Sequence, residues 1–598
     1  MNLDRLLAPR SVAIVGASAD PKKISGIIIA FLEKSGYAGK VMPINPRYEK
    51  IGNLTCYPSV EALPETVDLL VCVVPVAVAF PAMEAAARRG VPYCLLMTGG
   101  FGEGRSGAQG LERLERLLAL CRETGMKVVG PNTVGMVNFR QRLPLTFADW
   151  YGRDTGQRGG VVIVTNSGSV GGLIFSALQL NRIGVDYWFG LGNEANLEVA
   201  DFINHFSADG EIHTVICYME GVQNGRNFMV AADAARRAGK NVVVVKSGDN
   251  PESARSTLSH TGKNPSAGDI YQGVFRQLGV IQTASLSELG YVMTLLSTVG
   301  DRLGPRIGII SASGGACSLI ADHIINAGLQ LPELTEDLQA KLNLFIPEYA
   351  SSRNPVDVSA DVVSRPDILG GTLASLAEDR DVDVWIVFGR PIIDRYHEAL
   401  ATFADATGKA VIVSSGVPIA AEIEESLQDH KVAVLPDPEL CMRAISAILR
   451  SRGVAGIEFA GADFNSLAVR GTGRLLDHTT AAAALAAHGL LVAAEARPAL
   501  LVAIEEDRDF GAVLIVSAAS PFVARARRVV RALPASSADL RDVVAELATV
   551  EGGLPASATV IVAALEAIVR LYLETPEFGA AALALGSVGV DQLVLCSA

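Results

Sequence analysis

Along the first 450 or so positions, short unbroken runs of β-branched and other apolar residues alternate with longer amphipathic stretches. The runs SVAIVG (11–16), KVMPINP (40–46), VDLLVCVVP (67–75), YCLLMTGG (93–100) and KVVGPN (127–132) read as strands. Between them, KISGIIIAFLEKSG (23–36) and AFPAMEAAARRG (79–90) read as helices. Strands that are apolar at every position are covered on both faces, and strand–helix alternation predicts doubly wound parallel sheets. The rhythm restarts at GGVVIVTNSGSVGG (159–172) and at RIGIISASGGACS (306–318), each a strand, a small-residue turn and a helix. The pattern therefore predicts three α/β domains, at about 1–140, 141–300 and 301–458.

The remainder, 459–598, changes character. It is rich in alanine, and AAAALAAHGLLVAA, LLVAIEEDRDFGAVLIVS and ALEAIVRLYLE predict a helix, a strand pair and a second helix. That is a small α+β domain without a glycine-rich turn after a strand.

Composition narrows the class. The chain has 598 residues, 49% hydrophobic and 19% charged, with a net charge of −13. No basic stripe suits nucleic acid. No uncharged apolar run reaches the roughly 18 residues of a membrane helix, and the N-terminus runs straight into a strand without a signal-like segment. A cytoplasmic protein is expected. The eight cysteines are scattered, without metal-ligand spacing, and are expected to be buried thiols. No metal site is expected from them.

The candidate chemistry sits at strand ends. Gly16 and Ser18 close the first strand and open a helix, where bare N–H groups favour an anion. The GAS segment alone lacks full dinucleotide-motif spacing and is a weak signal of a dinucleotide site. Asn45–Pro46, Val74–Pro75, Thr98–Gly99 and Asn132 end the following strands, all on the edge where such sheets bind ligands. Together they favour a nucleotide-like ligand. The turns at Ser167–Gly168 and at Ser313, Gly314 and Gly315 are a matched pair able to offer N–H groups to a phosphoryl group. Glu220, in YMEG, ends a strand with a carboxylate that is either solvated or orients a histidine. His260 lies in STLSHTG (256–262), among hydroxyls and a glycine. It is a surface-loop histidine or a nucleophile toward phosphorus with room to approach.

In order, SVAIVGAS, INP, VP, MTGGFGE, GPNTVG, TNSGSVGG, GNEANL, YMEG, KSG, SHTG, SASGGACS and NPVD resemble the NDP-forming acyl-CoA synthetases, relatives of succinyl-CoA synthetase. The resemblance spans about residues 5–455. It implies a Rossmann-like CoA-binding domain followed by two flavodoxin-like domains. It also implies that CoA binds at Gly16, Ser18, Asn45, Pro46, Val74, Pro75, Thr98, Gly99 and Asn132. His260 would be phosphorylated, Glu220 would hold it, and the helix starts at Ser167–Gly168 and Ser313–Gly315 would cradle the phosphoryl group. The reaction implied is formation of an acyl-CoA thioester from a carboxylic acid, CoA and ATP through an acyl phosphate.

The resemblance breaks at the end. Family members close with an ATP-grasp domain of a little over two hundred residues, of which about 140 remain. The part expected after roughly Ala499, with a phosphate-holding lysine and a histidine-containing loop, is missing. The terminal metal-site segment appears as VDQLVLCSA, and lysine is absent from residue 432 onward. ATP and Mg²⁺ are thus expected on a separate ATP-grasp subunit, in a homo- or hetero-oligomer. The other reading is an ATP-independent CoA-transferring enzyme, or a CoA- or acyl-CoA-binding protein, on the same scaffold.

Overall fold

The computed structural model describes residues 3–104, 106–151, 158–248, 268–454, 491–492, 498–518, 528–548, 557–574, 581–587 and 593–595. They form two compact units: residues 1–173, 184–282 and 454–598 make the first, and 174–183 with 283–453 make the second.

One strand order occurs three times. In the first sheet Lys40–Ile44, Ser11–Val15, Leu69–Cys72, Tyr93–Leu96 and Lys127–Val129 lie side by side, all parallel, in chain order 2-1-3-4-5. Its core strands Ser11–Val15, Leu69–Cys72 and Tyr93–Leu96 are buried at every position, as expected of strands covered on both faces. The second sheet repeats the order with Tyr187–Gly190, Val161–Thr165, Thr214–Met219, Asn241–Lys246 and Ile281–Thr283. In the second unit, Val356–Asp357, Ile307–Ser311, Val384–Phe388, Ala410–Ser414 and Ala433–Val434 repeat it again. In this order the chain reverses direction between the first and third strands, and the splayed loops there leave a crevice at the carboxyl ends.

Two features go beyond the sequence pattern. Gly135–Asn138 and Leu143–Thr146 form an antiparallel hairpin that extends the second sheet beyond Tyr187–Gly190. The first sheet therefore ends at Val129, and a stretch read with the first domain feeds the second. In the C-terminal part, Pro498–Asp507 and Gly511–Ala518 form the expected strand pair. Among the described residues the sheet there has six strands, accompanied by the helices Ser537–Ala548 and Ala558–Glu574. The extra strands Arg528–Ala532 and Ala581–Ser587 are too short and too rich in alanine and arginine to signal themselves by alternation. Of the helix expected in AAAALAAHGLLVAA only Leu491–Val492 is described, and it is a short strand paired with Leu593–Leu595; the rest lies outside the described residues.

Among the described residues no helix is long and apolar enough to cross a membrane. The seven described cysteines are free and buried, and burial pushes the Cys121 thiol up to about 11.

Candidate active site

The crevice of the first sheet opens between the ends of Ser11–Val15 and Leu69–Cys72. Gly16 leaves the first of these strands with φ +85°, and a Cβ there would stand 2.4 Å from Val74 Cγ1 and 2.9 Å from the Val73 oxygen. Only glycine holds both this backbone and this approach. Ser25 Oγ donates to the Gly16 oxygen at 2.8 Å, and the Ser18 hydroxyl accepts from Asp20 N–H at 3.1 Å. Asn45 Nδ2 donates to the Ala17 oxygen at 2.8 Å, while Asn45 Oδ1 accepts from Arg47 N–H just beyond Pro46. Thr98 Oγ1 donates to the Val74 oxygen at 2.7 Å. Asn45 and Thr98 thus spend their side chains on neighbouring loops and shape the crevice. A cavity of about 490 Å³ opens on this edge, lined among others by Ile24, Val74, Pro75, Thr98, Gly99 and Phe147. Phe147 reaches it from just past the hairpin, so the cavity wall draws on both sheets.

The crevice of the second sheet lies between the ends of Val161–Thr165 and Thr214–Met219. Asn166 leaves the first strand and Glu220 the second. Asn166 N–H donates to the Tyr218 oxygen at 3.2 Å, and Glu220 N–H donates to Asn166 Oδ1 at 3.2 Å. Both residues are buried. Ser167 and Gly168 then start the helix Gly168–Leu180. Thr165 Oγ1 donates to the Ser167 oxygen at 2.7 Å and accepts from Ser167 N–H at 3.1 Å, which fixes the turn. A Cβ on Gly168 would stand 2.5 Å from Val134 side-chain atoms, so its small size serves close packing as well as access to the helix start.

The two crevices are joined by the segment between Leu191 and Leu197. Asn193, Ala195 and Leu197 donate their N–H groups to the oxygens of Pro131, Gly130 and Val128. The side chain of Asn193 accepts from Asn132 Nδ2 at 3.4 Å and donates to Glu103 Oε2 at 2.8 Å. Gln223 Nε2, three residues past Glu220, donates to the Asn193 oxygen at 2.9 Å. Burial pushes the Glu103 carboxyl up, but donation from Gly100, Phe101 and Asn193 outweighs it and holds the group below the usual carboxylate range. Asn193, Glu103, Gln223, Asn166 and Phe147 were not singled out from sequence. The signal for Asn193 was the GNEANL motif, and that for Glu103 was MTGGFGE.

In the second unit, Ser313 caps the helix Gly314–Asn326, its Oγ accepting from Ala316 N–H at 3.4 Å. Ser313, Gly314 and Gly315 are exposed. A Cβ on Gly314 would stand 3.1 Å from Asp357 Oδ2, which places a carboxylate beside this turn. His260 lies outside the described residues. Among the described residues no group of three or more His, Cys, Asp or Glu side chains is arranged to hold a metal ion.

Three family models match along the chain: a CoA binding domain over residues 10–138, a succinyl-CoA ligase like flavodoxin domain over 158–296, and a Ligase-CoA domain over 307–385. The alpha subunit of ADP-forming acetate–CoA ligase II from Pyrococcus furiosus is 32% identical over 385 residues, 64% of this chain and 81% of that one. The chain belongs to the NDP-forming acyl-CoA synthetase family. The ADP-forming acetate–CoA ligase I of Archaeoglobus fulgidus is 31% identical over 76% of this chain, which spans 64% of that protein's length. Among solved structures, the dinucleotide forming acetyl-coenzyme A synthetase 1 of Ca. Korarchaeum cryptofilum, in complex with phosphate and ADP, matches with a TM-score of 0.66 at 28% identity. That match covers 75% of this chain and 97% of the other. The first 2-1-3-4-5 sheet lies within the matched CoA binding domain and the second within the matched succinyl-CoA ligase like flavodoxin domain, so the two crevices described above fall in those domains.

Proposed function

We propose that the chain is the CoA-binding and phosphoryl-carrying half of an NDP-forming acyl-CoA ligase, working with a separate ATP-grasp chain. The observation that carries this reading is the hydrogen-bonded link through Asn193 between the two crevices. It ties the edge suited to CoA to the loop that follows Glu220, so that a thiol from one crevice and a phosphoryl group from the other can meet. The nucleotide half is assigned to that second chain because the lysine that the family resemblance expects to hold nucleotide phosphates has no counterpart from residue 432 onward. Relatives named as alpha subunits fit the same division.

In the forward direction, the overall reaction joins a carboxylic acid and CoA, while ATP becomes ADP and inorganic phosphate. His260 accepts the phosphoryl group on a ring nitrogen and passes it to the carboxylate oxygen of the acid. The thiol sulfur then attacks the acyl carbon, and phosphate leaves. Glu220 orients the imidazole and stabilises its cation as the phosphorus–nitrogen bond forms and breaks. The N–H groups at Ser167–Gly168 neutralise phosphoryl charge in transit. Gly16 and the following helix start receive the phosphates of CoA, and the glycine leaves the close approach such a ligand requires. The described residues supply no ligand set for Mg²⁺, and no step here runs through the metal.

The test is acyl-CoA formation by the full chain mixed with an ATP-grasp partner subunit, together with an assay for acid-labile histidine phosphate. His260→Ala is expected to abolish both while leaving CoA affinity within about twofold, since the imidazole serves covalent transfer alone. Glu220→Gln is expected to slow acyl-CoA formation roughly 100-fold, the scale of one misoriented proton-transfer or nucleophilic partner. If His260→Ala costs only a few-fold, the histidine is not used covalently, and ATP-independent CoA transfer becomes the better account.

A further inference from the structure

The side-chain amide of Asn166 holds a buried donor without an acceptor. The residue is 9% exposed, and its Nδ2 has no hydrogen-bond partner among the described residues. Its orientation is set on two sides: its own N–H donates to the Tyr218 oxygen, and its Oδ1 accepts from Glu220 N–H, each at 3.2 Å. With Oδ1 committed to Glu220 N–H, the two Nδ2 protons lie in the amide plane and point away from that bond. That side chain stands immediately before Ser167, at the start of the 13-residue helix Gly168–Leu180 and at the reversal point of the second sheet. Burying an amide donor without a partner is costly, and an orphan of this kind in a folded protein calls for a group that completes it. The position supplies the class of that group. First-turn N–H groups and the positive end of the helix favour an anion with several acceptor oxygens.

We propose that Asn166 Nδ2 donates a hydrogen bond to an oxygen of a phosphoryl group held at the start of the helix Gly168–Leu180. The assignment rests on reading the chain as a phosphoryl-carrying ligase, and it adds a binding residue to that site.

The test titrates inorganic phosphate into the CoA-saturated full chain by calorimetry. Asn166→Asp keeps the shape and the acceptor for Glu220 N–H but replaces the donor with an oxygen. Asn166→Ser removes the donor without adding charge, and serves if the aspartate variant fails to fold. For each folded variant, phosphate affinity is expected to fall at least tenfold, with CoA affinity within twofold of the unsubstituted chain. A folded variant that binds phosphate as tightly as the unsubstituted chain overturns the assignment, and the orphan is then met by solvent. If that happens while His260→Ala still abolishes acyl-CoA formation, only the Asn166 assignment fails. An unsubstituted chain that binds no phosphate and forms no histidine phosphate overturns both.

Discussion

Gln277 and Ala532 lie 255 positions apart and exchange two hydrogen bonds: Ala532 N–H donates to Gln277 Oε1 at 2.8 Å, and Gln277 Nε2 donates to the Ala532 oxygen at 3.1 Å. Gln277 ends the helix Gly268–Gln277, and Ala532 ends the strand Arg528–Ala532, so this amide pins the C-terminal sheet to the second α/β sheet. Tyr271 Oη, on the same helix, donates to Asp509 Oδ2 at 2.7 Å. Close packing adds to the contact, since a Cβ on Gly273 would stand 2.3 Å from the Val530 oxygen.

Gln277→Leu is expected to loosen that docking. It strands the buried N–H and C=O of Ala532, at a cost of roughly 2–4 kcal/mol. The expected result is faster proteolytic cleavage of residues after 500 and a lower thermal midpoint, with CoA affinity unchanged because the first crevice lies elsewhere. Unchanged protease resistance would mean that the apolar contacts alone hold the sheet.

Gly16→Val is expected to weaken CoA binding by about tenfold or more. A side chain at φ +85° costs about 1–2 kcal/mol before any clash, and this one would collide with Val74. Calorimetry on the full chain should also show that the unsubstituted protein prefers CoA to NAD. Equal affinity for the two would point to a dinucleotide crevice instead.

Glu198 predicts a pH effect. Burial pushes its carboxyl up to about 7, helped by the nearby Glu194 and Asp201 carboxylates, against donation from Asn227 Nδ2 at 2.8 Å and from Asn224 N–H. A carboxyl whose pKa is higher folded than unfolded is held more tightly as the acid in the folded state. Its stabilising contribution is therefore full below about 4.5 and declines as pH rises toward 7. The decline is on the order of 1–3 kcal/mol. Glu198→Gln removes the titration. The thermal midpoint of the variant, relative to the unsubstituted chain, is expected to climb steadily between pH 5 and pH 8. A difference that stays flat across that range would show that Glu198 titrates normally.

Local patterning made much of this architecture readable. An unbroken apolar run such as VVIVT at 161–165 announces a strand covered on both faces. A glycine or serine just after it announces a sharp exit into a helix, because both signals lie within a few residues of each other. The C-terminal strand pair at 498–518 was readable for the same reason, its two runs flanking a tight turn. The hairpin Gly135–Asn138 and Leu143–Thr146 was not, since strands of four residues are too short to show which sheet will take them.

The sequence by itself determined the repeated strand–turn–helix units and the family, because strand ends and their small residues are local and ordered along the chain. Only the tertiary structure decided that each sheet reverses between its first and third strands, that Asn193 bridges two crevices, that Asn166 is held by Glu220 with a donor left over, and that Gln277 anchors a strand 255 positions away. These are pairings between distant residues. Asn and Gln carry no periodicity that marks a role, and what an amide does depends on which backbone groups folding brings to within about 3 Å of it.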